Sequence, residues 1–179
     1  MDKLSAILIV DDDADVRQAA RLALAPHVER IEALASPEEM MAVLAPDIFD
    51  CVLLDMNFAA GERSGEAGMN ALAMIRKIDP ALSVVLMTAY GGVAIAVESL
   101  KRGAEDFLLK PWRNEALAAA VTAAALRTGA ERSGAPLEEL ERAAIEKALA
   151  RHHGNIAQAA AALGLSRPAL YRRMTKHGL

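Results

Sequence analysis

The chain has one cysteine, Cys51, and aromatic residues make up only 3% of its 179 residues. A single thiol excludes an internal disulfide and any cysteine-built zinc site. Long hydrophobic runs are missing too: none approaches the roughly 20 apolar residues that a membrane helix needs. The opening Met1-Asp2-Lys3-Leu4-Ser5, followed by Ala6-Ile7-Leu8-Ile9-Val10, has neither a basic leader nor a small-residue cleavage site, so no signal peptide is read there. These absences point to a cytoplasmic protein with no membrane partner. What is present favours a packed, helix-rich chain. Hydrophobic residues make up 54% and charged residues 25%, which excludes general disorder, and 39 alanines supply the strongest helix former.

The net charge of −4 hides an asymmetry. Residues 1–126 carry −8, residues 137–179 carry +3, and the stretch between them adds +1. An acidic body joined to a small basic segment is the pattern of a regulatory module attached to a polyanion binder.

Ile7-Leu8-Ile9-Val10 is a short β-branched run, consistent with a strand buried on both faces. It stops at Asp11-Asp12-Asp13. A helix follows with Val16, Ala19, Ala20, Ala23 and Leu24 on one face, ending near Pro26. Arg30 to Ala35 reads as a second strand. Ser36-Pro37-Glu38-Glu39 is a helix start, with Ser as N-cap, Pro in the first turn and Glu closing a capping box. Cys51 to Leu54 is a third strand ending at Asp55. A polar, glycine-containing loop (57–68) leads into a helix with Leu72, Ile75 and Ile78. Val84 to Met87 is a fourth strand ending at Thr88, followed by a helix over Val93 to Arg102. Phe107 to Leu109 is a fifth strand, ending at Lys110-Pro111, and an alanine-rich helix occupies 114–127. Five strands alternating with helices predict an α/β domain over 1–127, a doubly wound five-stranded parallel sheet. Residues 128–136, with two Gly and a Pro, read as a linker. Three helices follow, Leu137 to His152, Asn155 to Leu163 and Ser166 to Lys176. These 43 residues form a small all-α domain (137–179), marginal in size for independent stability, which favours a dimer.

In a parallel sheet, ligands sit outside the carboxyl ends of the strands. Those ends present Asp11, Asp12, Asp13, Asp55, Thr88 and Lys110. Clustered carboxylates need a counter-charge, and Mg²⁺ suits oxygen donors while keeping waters for an incoming phosphoryl group. Lys110 can neutralise a phosphoryl oxygen, Thr88 can donate to another, and Asp55 can accept the phosphoryl group as an acyl phosphate. The plain readings lie beside these: Asp13 as a helix N-cap, Cys51 as inert core, Phe107 as core, and Tyr90 either gating water or sitting half-exposed on the surface.

The segments Ile7-Leu8-Ile9-Val10-Asp11-Asp12, Leu53-Leu54-Asp55, Leu86-Met87-Thr88-Ala89 and Leu109-Lys110-Pro111 resemble, in order and spacing, the receiver domain of bacterial response regulators. The resemblance covers about residues 4–126. It implies that Asp55 is the phosphorylation site and that Asp12 ligates Mg²⁺ directly with Asp55. It further implies that Asp11 acts through water and that the backbone carbonyl of Asn57 completes the protein ligands. Phe107 takes the place of the switch aromatic that responds to Thr88, and Lys110-Pro111 is expected to be cis. The stretch from Asn57 to Gly68 departs from the family pattern: it is about five residues longer and lacks the usual Pro.

In the basic segment, Asn155 and Ser166 read as N-caps of two helices, and Pro168 falls in a first turn where its missing N–H costs little. Ala159, Ala160 and Ala162 permit a close helix crossing. Leu170 and Met174 face inward, which sets Arg172 nearly opposite, with Arg167 and Tyr171 to one side. The start of such a helix enters the major groove, where Arg can read guanine. Gly154 to Ala160 and Leu163 to Met174 resemble the Fis-type helix-turn-helix that also closes sigma-54 activators of the nitrogen-regulator class. That resemblance implies a homodimer, with Leu137, Leu140, Ala144, Ile145 and Leu149 as interface candidates. It implies double-stranded DNA as partner, with Ser166, Arg167, Tyr171 and Arg172 as contacts and Asn155 near a phosphate. His152 and His153 have no acidic or cysteine partners nearby, which argues against a metal there.

Sigma-54 activators place an ATPase between two such modules, and here only the linker stands between them. The spacing of Gly129 and Gly134 fits a phosphate loop, but Ala135 stands where Lys is required. Receiver plus Fis-type module is similar to the RegA/PrrA/ActR-type architecture. The expectation is a response regulator, not an enzyme, that is phosphorylated on Asp55 by a sensor histidine kinase and binds DNA to regulate transcription, with RNA polymerase as a further partner. Its rival is a constitutive DNA-binding or DNA-bending dimer whose receiver only docks. A phosphatase or phosphotransferase using the Mg²⁺ pocket is a third reading, disfavoured because nothing supplies a second substrate site.

Overall fold

The computed structural model describes residues 4–58, 65–89, 93–134 and 137–179. Five strands, β1 (Leu4–Val10), β2 (Val28–Leu34), β3 (Cys51–Asp55), β4 (Ser83–Thr88) and β5 (Asp106–Leu109), alternate with α1 (Ala14–Leu24), α2 (Pro37–Val43), α3 (Glu66–Ile78), α4 (Val93–Lys101) and α5 (Asn114–Ser133). Three further helices follow, α6 (Leu137–Arg151), α7 (Ile156–Ala162) and α8 (Arg167–His177). The sheet is parallel throughout, in the order β2-β1-β3-β4-β5. Chain order reverses between β1 and β3, and that switch point opens a crevice at the carboxyl ends of the strands.

Alternation along the strands builds two cores. Leu8, Val10, Val52, Leu54, Val84 and Leu86 face one side, against Met40 of α2 and Leu72 and Ile75 of α3. Ile7, Ile9, Leu53, Val85 and Met87 face the other, against Ala20 and Leu24 of α1 and Leu117, Val121 and Ala124 of α5. Burial on both faces explains why these strands read as unbroken apolar runs.

Local chemistry sets the helix ends. The Asp13 carboxylate accepts from the Asp15 and Val16 amides, so it is the α1 N-cap. Ser36 Oγ accepts from Glu39 N at 3.2 Å, and the Glu39 carboxylate reaches back to the Ala35 amide at 2.8 Å. That is a capping box stretched by one residue. Helix α3 starts at Glu66, which puts Gly68 inside the helix, not in the loop. A Cβ on Gly68 would lie 2.5 Å from Met56 Cα, so only glycine lets this turn press against the chain just past Asp55.

The main correction concerns the linker. Helix α5 does not end at 127 but continues to Ser133, where Gly134 (φ 64°) stops it. Thr128 is buried: its hydroxyl accepts from Ser83 N at 2.9 Å and donates to Ala124 O at 3.2 Å. One turn on, Arg132 donates to Asp79 Oδ2 at 2.7 Å and to Phe49 O at 3.0 Å, and pairs with Asp47. Side chains that anchor on the sheet's amino end hold this segment helical. Residues 135–136 lie outside the described residues.

Helices α6, α7 and α8 enclose a small core of Ile145, Ala148, Ala159, Ala160 and Leu170, with Met174 packed against it. Asn155 Oδ1 caps α7 and Ser166 Oγ caps α8. Between them, Leu165 N bonds Ala160 O at 2.8 Å and Gly164 N bonds Ala161 O at 3.2 Å, with Gly164 at φ 66°. This Schellman turn makes the sharp bend between α7 and α8. It also packs on α5, where a Cβ at 164 would come 3.1 Å from Ala119 Cα.

Candidate functional site

The expected acids converge. One carboxylate oxygen from each of Asp11, Asp12 and Asp55 lies within 4.8 Å of the others, the only such group of three among the described residues. Asp11 and Asp55 are buried, while Asp12 is exposed. Lys110 Nζ reaches across from the end of β5, 2.5 Å from Asp11 Oδ2 and 2.9 Å from Asp55 Oδ1. The peptide between Lys110 and Pro111 is cis. Thr88, buried at the end of β4, receives the Asn57 side-chain amide at 3.4 Å. Asn57 also donates its backbone N–H to Asp55 Oδ2 at 3.3 Å and accepts from Gly65 N at 3.0 Å. Its side chain therefore links the Thr88 hydroxyl to the far end of the long loop.

Burial raises the carboxyl pKa of both Asp11 and Asp55, and for Asp11 the neighbouring Asp55 charge adds to the rise. Lys110 lowers both, without cancelling the effect. Burial works against the Lys110 ammonium as well, but its two carboxylate partners outweigh this and hold its pKa above the usual lysine range. Three carboxylates facing one ammonium leave a surplus of negative charge. An all-oxygen donor set with that surplus fits a hard divalent cation such as Mg²⁺.

Sequence reading missed one member of this site. Arg17, one turn into α1, donates from Nη1 to the carbonyls of Asp11 at 2.6 Å and Asp12 at 3.0 Å. It braces the turn that carries both acids, and its spacing from them carried no recognisable signal. Phe107 is half-buried and packs against the α2–α3 side of the sheet. Cys51 is fully buried, and burial pushes its thiol pKa up, as befits an inert core residue. Tyr90 lies outside the described residues, as do 59–64 of the long loop.

The proposed DNA contacts lie together on the α7–α8 unit. Asn155, Ser166, Arg167, Tyr171 and Arg172 are all exposed. The caps occupy the side-chain oxygens of Asn155 and Ser166, which leaves the Asn155 amide nitrogen as its donor. Two of the interface candidates belong elsewhere. Ile145 is buried in the core of its own module and Leu149 packs beside it, because a three-helix unit this small needs both to close its interior. Ala144 is half-buried, and the side chains of Leu137 and Leu140 lie outside the described residues. No helix among the described residues is long and apolar enough to cross a membrane.

Comparison with known proteins supports this division. Residues 7–122 match the response regulator receiver domain family, and residues 136–177 match the bacterial regulatory protein, Fis family. The response regulator protein FleR of Pseudomonas aeruginosa is 39% identical over 111 residues, which is 62% of this chain and 22% of that protein. The chain spans less than a quarter of the length of several such curated relatives. Among solved structures, the N-terminal signal receiver domain of a two-component system response regulator from Bacteroides fragilis aligns with a TM-score of 0.61 and 38% identity. It covers 69% of this chain and 98% of that one. A response regulator protein from Burkholderia pseudomallei, solved with a phosphorylated aspartic acid, calcium ion and citrate, shares the fold over 97% of both chains. Its TM-score is 0.58 and its identity 23%.

Proposed function

We propose, for a chain that belongs to the response regulator receiver domain family and carries a Fis-family module behind it, the role of a cytoplasmic two-component transcription regulator whose DNA binding is gated by phosphorylation of Asp55. One observation carries the reading: Asp11, Asp12 and Asp55 gather within 4.8 Å at the switch point of the sheet, and Lys110 bridges two of them.

Asp12 and Asp55, the Asn57 carbonyl, and Asp11 through water would hold Mg²⁺. When bound, the ion neutralises charge on the phosphoryl oxygens during an in-line displacement. A carboxylate oxygen of Asp55 attacks phosphorus as the bond to the imidazole nitrogen of a histidine kinase breaks, leaving an acyl phosphate and a neutral imidazole. Lys110 donates to one phosphoryl oxygen, and Thr88, whose oxygen accepts from the Asn57 amide, moves toward the phosphoryl group and donates its hydroxyl proton to another. Phe107 follows the movement of Thr88 and reshapes the face of α4, β5 and α5, where Val97, Leu100 and Leu109 already stand exposed. Pairing of two chains through that face would raise DNA affinity by effective concentration. Arg167, Tyr171 and Arg172 would contact DNA from α8, with Ser166 and Asn155 beside them. RNA polymerase is the expected downstream partner.

The chemical half of the proposal is tested by incubating the full chain with a small acyl-phosphate donor and following phosphoryl incorporation by intact mass. Incorporation should require Mg²⁺ and vanish in Asp55→Asn. Equal incorporation by that variant would remove Asp55 from its role.

A further inference from the structure

Four permanent cations ride on α8, and their partners divide them into two sets. Arg167 and Arg172 are exposed, and among the described residues neither has an ion-pair partner. Arg173 and His177, four residues apart and so on one flank of the helix, turn to α6 instead. Glu141 Oε1 takes Arg173 Nε at 2.7 Å, and Glu141 Oε2 takes His177 Nε2 at 2.7 Å. Lys176 Nζ, on the same side, lies 3.2 Å from Glu138 and 3.8 Å from Glu141. The His177 ring is almost wholly covered and Glu141 is only 23% exposed, so this is a partly desolvated cluster and not a chance surface pair. Burial alone would raise the Glu141 carboxyl pKa. Its bond to His177 and the charges of Arg173 and Lys176 overcome that and hold it below the usual range.

We propose that Glu141 lowers the charge that α8 offers to DNA: by holding Arg173 against α6, it withdraws that cation from the duplex and leaves Arg167 and Arg172 as the α8 cations without an acidic partner among the described residues. The inference deepens the DNA-binding reading above and rests on it. A guanidinium whose Nε sits 2.7 Å from a carboxylate offers little net charge to a phosphate. Non-specific affinity grows with each phosphate that a protein cation neutralises, and the slope of log affinity against log salt counts those cations at about 0.9 each. An acid on the neighbouring helix can therefore lower sequence-independent binding and leave the contacts that read bases in place. Specificity is a ratio, so it rises when the non-specific part falls.

The test is a salt titration of the full chain on a labelled duplex of random sequence, followed by anisotropy. Glu141→Gln should bind more tightly at low salt, with a slope steeper by about 0.9 for each cation it releases. Arg173→Gln alone should leave the slope unchanged, yet in the Glu141→Gln background it should take back the gain. This non-additivity is something a merely structural salt bridge would not produce. A slope unchanged in Glu141→Gln, or flattened by about 0.9 in Arg173→Gln alone, would overturn the proposal. Arg173→Gln leaves Glu141 with His177 and Lys176, so its fold does not depend on the lost pair and its slope decides the matter even if Glu141→Gln fails to fold. Absence of any salt-dependent binding by the unsubstituted chain would instead overturn the DNA-binding reading, and this inference with it.

Discussion

Asp11 and Asp55 are both buried and share one ammonium, Lys110. Two buried carboxylates sharing one cation leave negative charge that a divalent cation would neutralise. Removing one carboxylate leaves the other paired with Lys110, so Asp55→Asn should be more stable than the unsubstituted chain in chelator, by roughly 1 kcal/mol in urea denaturation. A less stable variant would mean that the pocket carries no surplus of negative charge. The pH dependence has a definite sign. The folded carboxyls have pKa values raised above their ordinary 3.8, so the folded chain holds more protons than the unfolded one between those values. In chelator their contribution to stability is fully present below the unfolded value and is lost as pH rises through the folded one. Mg²⁺ needs the carboxylates deprotonated, so its affinity should fall as pH drops through the same window. Calorimetric titration across that range checks the sign.

At the scale of elements, the clearest lesson lies in α5. Strands β1, β3 and β4 were legible because both faces of the sheet are covered there, which leaves continuous apolar runs, each with a chemically distinctive residue at its end. The caps at Asp13, Ser36, Asn155 and Ser166 were legible for a local reason: each satisfies amides two or three residues away. The last turns of α5 were not, because Gly129 and Gly134 signal a linker while the groups that hold the helix, Ser83, Phe49 and Asp79, lie far away in sequence. Arg17 escaped for a different reason: its partners are near in sequence, but a bond from a side chain to two backbone carbonyls leaves no pattern. The anchoring role of Arg132 has a measurable consequence. Arg132→Ala leaves the buried Asp79 carboxylate without its cation and should cost about 2 kcal/mol by urea denaturation. A linker residue would cost less than about 0.5 kcal/mol, and a value that small would deny the helix its anchor.

Across the whole molecule, an acidic α/β body is joined through one long helix to a small helical unit that presents exposed arginines. The charge division visible in the sequence, −8 in the first 126 residues and +3 in the last 43, matches the division of labour proposed here: one module gathers a cation and a phosphoryl group, the other a polyanion. The turn between α7 and α8 packs on α5 at Ala119, so the two modules meet on the helix that belongs to the proposed dimer face. The central claim is that the first module controls the second. Its most direct test is the anisotropy of a labelled genomic upstream fragment at fixed salt, with and without Mg²⁺ and beryllofluoride as a phosphoryl mimic. The account expects the mimic to tighten binding by the unsubstituted chain and to leave Asp55→Asn unmoved. Appreciable binding that ignores the mimic, or an Asp55→Asn variant that still responds to it, would contradict that control.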